Sequence, residues 1–168
     1  MPRDLPGAAA VVRSIGSALG RAERAEEIAC DIERRTARVR EMASAAPRVD
    51  YAYLIWRRPY MTLNRDTYVS ALLGEAGGRN VFGDREERYP DISPDELRDA
   101  DPRVVLLSSE PFPFKQPHID ELVATTGLAA DRFHLVDGEL LSWHGPRSGV
   151  GVEYARGVLA DHAPSLGA

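Results

Sequence analysis

The stretch Asp101-Pro102-Arg103-Val104-Val105-Leu106-Leu107-Ser108 decides the fold. Its four central residues are apolar without interruption, entered from an aspartate and a proline. Alternation is missing, so both faces of the strand must be covered, the condition of a central strand in a parallel sheet with helices on either side.

Outward from this strand the pattern alternates. Downstream, the sequence predicts a helix from about Gln116 to Thr126, a strand at Phe133 to Val136 and a turn at Asp137-Gly138. A closing helix follows from Gly149 to Asp161, with Val152, Ala155, Val158 and Leu159 turned inward. Upstream, Ser93-Pro94-Asp95-Glu96 joins an N-cap serine to a proline at the first helical position and a glutamate at the third, which starts a helix that runs to about Ala100. Before it come a strand from Val49 to Trp56, a helix from Asp66 to Glu75 stopped by Gly77-Gly78, and a short strand at Val81-Phe82. Strands alternating with helices through right-handed crossovers build a three-layer α/β lobe with a mainly parallel sheet.

The beginning of the chain differs. Val11, Val12, Ile15, Ala18 and Leu19 recur at helical spacing until Gly20. From Arg21 to Ala46 neither glycine nor proline interrupts a second helix, whose Ala25, Ile28, Ala29, Ile32, Val39 and Met42 keep one face apolar until Pro47 ends it. That span is on the order of 39 Å at about 1.5 Å per residue, longer than one side of a small lobe requires. A connecting strut and a long solvated surface helix both fit the pattern.

A chain of 168 residues, 43% of them hydrophobic, can bury one ordinary core and is too short for two full α/β domains. Its 21 basic and 26 acidic residues are interspersed, so the net charge of -5 forms neither a basic stripe for nucleic acid nor an acidic tail. The one cysteine, Cys30, excludes an internal disulfide and is expected to be a solvent-shielded structural thiol. No run approaches the roughly 18 apolar residues of a membrane-spanning helix, and Met1-Pro2-Arg3-Asp4 opens without the apolar core of a signal peptide.

Candidate chemistry collects after apolar runs, in Trp56-Arg57-Arg58-Pro59-Tyr60-Met61-Thr62, Arg88-Tyr89-Pro90, Glu110-Pro111-Phe112-Pro113-Phe114 and Ser142-Trp143-His144-Gly145-Pro146-Arg147. Residues that follow parallel strands share one sheet edge, where open α/β folds keep their ligands. Trp56 and Tyr60 around Arg57, Arg58 and Pro59 can stack on a flat ligand while a guanidinium reaches a polar group; equally, Trp56 can end the strand's core with both arginines in solvent. Prolines hold Tyr89, Glu110 and Phe112 extended, and Pro111-Phe112-Pro113-Phe114 reads as a rigid apolar surface with one phenylalanine plugging the core. Trp143, His144 and Arg147 bring a ring, an imidazole and a guanidinium together ahead of the last helix, where each also reads as a core lid, a solvated residue and a helix-start residue.

Enzymatic readings lack their signatures. Ser108, Asp137 and His144 follow the chain order of an α/β-hydrolase triad, but Ser108-Ser109-Glu110-Pro111 is no Gly-x-Ser-x-Gly elbow. Glu110, His118, His134 and His144 are of metal-ligating type, yet no pair has zinc-site spacing. Gly77-Gly78-Arg79-Asn80 follows a helix instead of opening one, so nucleotide cofactors have no support. A small hydrolase or metal-dependent enzyme at the same edge stands as the alternative to a binding protein, with no catalytic or metal-ligating residue assigned.

Taken in order, Trp56 to Thr62, Leu72-Leu73-Gly74-Glu75-Ala76-Gly77-Gly78-Arg79-Asn80-Val81-Phe82, Arg88-Tyr89-Pro90-Asp91-Ile92-Ser93, Ser108 to Pro111 and Asp137-Gly138 carry a family resemblance. The chain resembles, over about Ala8 to Ala163, the substrate-binding proteins of ABC importers for vitamin B12 and ferric siderophores, the helical-backbone metal receptors. The resemblance implies a non-enzymatic protein in which one long helix joins two α/β lobes around a ligand cleft, with no intrinsic cofactor. Residues 1–20 then correspond to the last helix of the N-terminal lobe, 21–47 to the backbone helix and 48–168 to the C-terminal ligand-binding lobe. On that reading the N-terminal lobe is largely absent, supplied by another chain or lost by truncation.

The implied ligand is a metal chelate: cobalamin, haem or a ferric siderophore. By resemblance Tyr60 and Tyr89 contact it, and Trp143 and Arg147 lie in a loop that adds contacts; Trp56, Arg57, Glu110 and Phe112 join them by position. The implied partner is an ABC permease docked through Asp95 or Glu96, and an uncovered face of the long helix is expected to favour self-association. Members of the family work in the periplasm or at the cell surface, whereas the opening without a signal leaves a cytoplasmic location as the other expectation.

Overall fold

A computed structural model describes residues 2–163; residue 1 and residues 164–168, the end of the span 48–168 expected to form one lobe, lie outside the described residues. The strands are β1 (Val49–Leu54), β2 (Tyr60–Met61), β3 (Gly78–Asn80), β4 (Asp91–Ile92), β5 (Val104–Ser108) and β6 (Phe133–Val136). The helices are α1 (Leu5–Ala18), α2 (Ala22–Ser44), α3 (Tyr68–Glu75), α4 (Pro94–Asp99), α5 (Gln116–Thr126), α6 (Gly138–Ser142) and α7 (Ser148–Ala160). β3, β1, β5 and β6 lie in that order in one parallel sheet, and β2 pairs antiparallel with β4 beside it.

Every residue of β5 is buried, as its unbroken apolar run requires. The pleat divides the run: Val104 and Leu106 join Val49, Tyr51 and Tyr53 in a core shared with α1, α2, α3, α6 and α7. Val105 and Leu107 join Ala52, Leu54 and Phe133 in a second core under α4 and α5. Each such aliphatic side chain contributes roughly 1.5–3 kcal/mol on burial, so slippage of β5 by one residue would exchange the residues of two formed cores. The result is the expected three-layer lobe, preceded by the long helix.

Connectivity follows from a common crossover hand. The step from β1 to β3 carries α3 on the first face; the opposite steps, β3 to β5 and β5 to β6, carry α4 and α5 on the other. Connections therefore leave β1 and β5 in opposite directions, which opens a crevice between the carboxyl ends of these adjacent strands.

Local differences from the sequence reading have physical causes. Gly78 begins an edge strand instead of only stopping a helix, and the strand expected at Val81-Phe82 lies outside it. A Cβ at Gly78 would sit 2.7 Å from the Tyr51 ring, so glycine is required by the close approach of β3 to β1. Asp137-Gly138 starts the short helix α6, with the Asp137 side chain accepting from the Leu140 N–H, where a turn was expected. Cys30 is exposed and not shielded; its thiol donates to Glu26 on the solvated side of α2.

Along α2, Ala25, Ala29, Ile32, Thr36, Val39 and Ala43 form one buried stripe. α1 covers it through Leu5, Ala8, Ala9 and Val12, and α7 through Val152, Ala155 and Leu159, while Met42, expected on the same apolar face, is 49% exposed. The helix is fastened to the lobe by Arg35 with Glu153 at 2.7 Å and Arg40 with Glu75 at 2.6 Å. The capping box at Ser93 and Glu96 forms as the sequence predicts.

Candidate functional site

At the crevice between β1 and β5 lies a cavity of about 410 Å³, lined chiefly by Tyr53, Ile55, Met61, Leu63, Tyr68, Val69, Arg88, Tyr89, Glu110, Pro111, Ser142 and His144. Its floor is Tyr53 at the end of β1, whose hydroxyl donates to Ser108 Oγ at 3.0 Å. Ser108 in turn donates to the Glu110 carbonyl at 2.5 Å, which fixes the chain as it leaves β5. Tyr68 forms one wall; its hydroxyl lies 2.8 Å from Ser148 Oγ, and its ring meets His144 edge-on at 5.9 Å. Burial raises both phenols above the ordinary tyrosine value, so they meet a ligand as neutral rings.

The other wall is stitched by backbone. The Thr62 N–H donates to the Pro90 carbonyl and the Asn64 N–H to the Arg88 carbonyl, each at 3.0 Å, and this holds Arg88-Tyr89-Pro90 beside Met61 and Leu63. Tyr89 is 48% exposed, an aromatic ring left at a cavity mouth by the proline that follows it.

Glu110 organises the rim. Its Oε1 accepts from the Trp143 indole N–H at 2.5 Å and lies 2.9 Å from Ser142 Oγ. Trp143, half exposed, carries the Arg147 guanidinium over its ring at 5.6 Å, and Arg147 pairs with Glu139 at 2.8 Å. Gly138 permits this closeness: a Cβ there would lie 2.4 Å from Ser108 Oγ and 2.7 Å from Glu110 Cγ.

Four of the predicted residues thus stand in or beside the cavity: Tyr89, Glu110, Trp143 and Arg147. The other four face elsewhere. After Ile55 the chain folds back, and Arg57 and the Tyr60 hydroxyl both reach Glu121 on α5, Tyr60 at 3.0 Å. Arg57 holds the Glu121 carboxyl below its usual range. Phe112 packs between Trp56 at 5.8 Å and Phe114 at 4.8 Å, with Phe114 the buried plug. These contacts make a second cluster over α5. The sequence reading missed Tyr53 and Tyr68, because a strand tyrosine and a helix tyrosine pattern as core, and it named Arg88 within the Arg88-Tyr89-Pro90 stretch without giving it a role.

Among the described residues the serine, aspartate and histidine of the hydrolase order do not come together as a triad. Ser108 is bonded to Tyr53 and Glu110 with no histidine partner among the described residues, and Asp137 is spent as a helix cap. His118 accepts from the Lys115 N–H and packs at a tilt against Phe112, while His134 lies tilted against His162 at 4.2 Å. Among the described residues no three histidine, cysteine or carboxylate side chains converge as metal ligands.

A larger hollow of about 580 Å³ lies at the amino ends of the strands, lined by Asp50, Asp101, Arg103, Asp131, Arg132, Asp161 and His162. Its lining is mainly charged, with Arg132 paired to Asp101, Asp50 to Arg79 and Arg103 bonded to the His162 carbonyl, and it offers little apolar surface. Apolar walls with a few polar groups at the strand carboxyl ends mark the smaller cavity as the candidate site.

The profile of the periplasmic binding protein family matches residues 9–131. No curated protein matches the chain in sequence. Among solved structures, the periplasmic vitamin B12 binding protein BtuF of Vibrio cholerae shares 20% identity at a TM-score of 0.79, over 96% of this chain and 64% of its own. A periplasmic heme binding protein from Pseudomonas aeruginosa shares 23% identity at a TM-score of 0.80, over 98% of this chain and 63% of its own. The periplasmic heme-binding protein RhuT from Roseiflexus sp. RS-1 shares 25% identity at a TM-score of 0.78, over 96% and 65% respectively. The chain thus spans just under two thirds of the length of each of these structures.

Proposed function

The chain belongs to the periplasmic binding protein family, and from that premise we propose that it is the substrate-binding component, or the ligand-binding half, of an ABC importer for a metal-chelate ligand. Members and structural neighbours are binding proteins, not enzymes. The observation that carries the reading is the apolar cavity of about 410 Å³ at the crevice between β1 and β5, of the size and lining that small-molecule sites have. The family's setting is periplasmic; no helix among the described residues is long and apolar enough to cross a membrane.

In this reading residues 1–20 are the last helix of an N-terminal lobe, 21–47 the backbone helix and 48–168 the lobe that carries the site. Tyr89 and Trp143 supply flat faces at the mouth, Tyr53, Tyr68 and Met61 supply the floor and walls, and Glu110 holds the Trp143 side of the rim. Trp56, Arg57, Tyr60 and Phe112 support the site from the cluster over α5. Stacking on rigid aromatic side chains suits a flat macrocycle, because little rotamer freedom is lost on binding.

Permease docking falls to Asp95 in this proposal. Glu96 is committed to the Ser93 N–H and to Arg85, whereas Asp95 stands at the exposed start of α4 with only its neighbour Arg98 on it. An exposed carboxylate at a helix start is suited to steering onto basic groups.

Equilibrium titration with cobalamin, haem and a ferric siderophore, followed by tryptophan quenching and by the ligands' own absorption, tests the reading. Saturable binding of one of them is expected; no binding of any at millimolar concentration overturns it.

A further inference from the structure

Arg88 is the cation that the cavity leaves unspent. Near the site Arg57 is paired with Glu121, Arg147 with Glu139, Arg65 with Asp84 and Arg3 with Asp66, while Arg58 stands outside the cavity lining. Arg88 lines the cavity, and among the described residues its guanidinium has neither a carboxylate nor a hydrogen-bond acceptor. The one carboxylate in the lining, Glu110, has its Oε1 engaged by Trp143 and Ser142. A ligand entering this apolar space therefore meets one guanidinium free to bond and a carboxylate with one of its oxygens held by the rim.

We propose that Arg88 is the charge anchor of the site, and that the ligand accordingly carries an ionised acidic group, a carboxylate or phosphate, at the edge of a flat apolar body. This rests on the importer function proposed for the same cavity and narrows it. The Arg88 backbone is pinned through its carbonyl to the Asn64 N–H at 3.0 Å, while its guanidinium lies over the Tyr89 ring at 5.8 Å, an arrangement fitted to that role. The ring takes the apolar face of the ligand and the planar fork above it takes the acid, a pairing that an ammonium reproduces poorly. Arg57 and Arg147, the basic anchors expected from the sequence, serve instead as supports.

Two porphyrins of the same ring test it: iron(III) protoporphyrin IX, which bears two carboxylates, and its dimethyl ester, which bears none. Soret titrations in dilute detergent are read for the wild-type chain, Arg88→Gln, Arg88→Lys and Arg24→Gln, the last removing an exposed charge on α2 that is not part of the cavity lining. Expected are a preference of the wild type for the diacid of about tenfold, loss of that preference in Arg88→Gln, partial retention in Arg88→Lys and full retention in Arg24→Gln. The diacid affinity of the wild type should also fall with added salt, and that of Arg88→Gln should not. Wild-type binding of diacid and ester with equal affinity, or an undiminished preference in Arg88→Gln, overturns the role of Arg88 and leaves the importer reading standing. Failure of the wild type to bind either porphyrin overturns the inference, and failure with cobalamin and a siderophore as well overturns the reading beneath it.

Discussion

Glu110 Oε1 and Trp143 Nε1, 33 residues apart in the chain, lie 2.5 Å apart and close one side of the cavity mouth. The bond joins the loop after β5 to the loop after α6, so the carboxylate fixes the position of the indole at the rim. With Trp56→Phe as background, Trp143 is the one tryptophan left to report. Glu110→Ala should then shift its emission to the red, lower its anisotropy and weaken ligand binding by about tenfold, while Glu110→Gln, which keeps an acceptor, should stay near the parent. Unchanged emission in Glu110→Ala would contradict the tether.

The buried chain from Tyr53 to Ser108 to the Glu110 carbonyl makes an asymmetric prediction. Ser108→Ala strands the Tyr53 hydroxyl in a core where it is 1% exposed and should cost about 1–3 kcal/mol in urea unfolding. Tyr53→Phe leaves Ser108 its second partner and should cost less than about 1.5 kcal/mol. Gly138→Ala drives a methyl against both Ser108 and Glu110, with a cost of about 1–3 kcal/mol and a Trp143 emission shift like that of Glu110→Ala.

What could be read from the sequence was whatever needed only near neighbours. The unbroken apolar run of β5 demanded cover on both faces, Ser93 and Glu96 formed their box within one turn, and α5 runs from Gln116 to Thr126 as its pattern required. β3 escaped because Gly78-Arg79-Asn80 has no apolar pattern; its glycine answers to the Tyr51 ring, a contact made only in the folded sheet. The site was half legible for the same reason. Tyr89, Glu110 and Trp143 follow from their place after strands or beside prolines, but Arg57 is drawn away by a carboxylate 64 residues distant, and no local signal announces Glu121.

That pairing yields its own prediction. Arg57 and Tyr60 converge on Glu121 over α5, on the side of the hairpin away from the cavity. Glu121→Ala should therefore lower Tm by about 2–4 °C, since a shielded guanidinium loses its partner, and leave the affinity for whichever ligand the titrations identify within about twofold. A tenfold loss of affinity with Tm unchanged would return Arg57 and Tyr60 to the ligand.

Acid should loosen the junction of the long helix with α1. Arg13 bridges Glu26 at 2.8 Å and Glu33 at 2.6 Å, and it holds the Glu26 carboxyl down at about 2, from an ordinary 4.5, chiefly through its hydrogen bonds, with Glu33 lowered in the same direction. Because the folded values lie below the unfolded ones, the stabilisation is complete above the ordinary carboxylate value. It drains as pH falls from about 4.5 toward about 2, where both states bind the proton. Arg13→Gln should then melt on the order of 2 °C below wild type at neutral pH, with the gap closing as pH falls through that window and shrinking in high salt because the three groups face solvent. Thermal melts from pH 2 to pH 7 at two ionic strengths decide the matter. A gap that stays constant across the range would assign the loss to packing of the arginine stem instead of its charge.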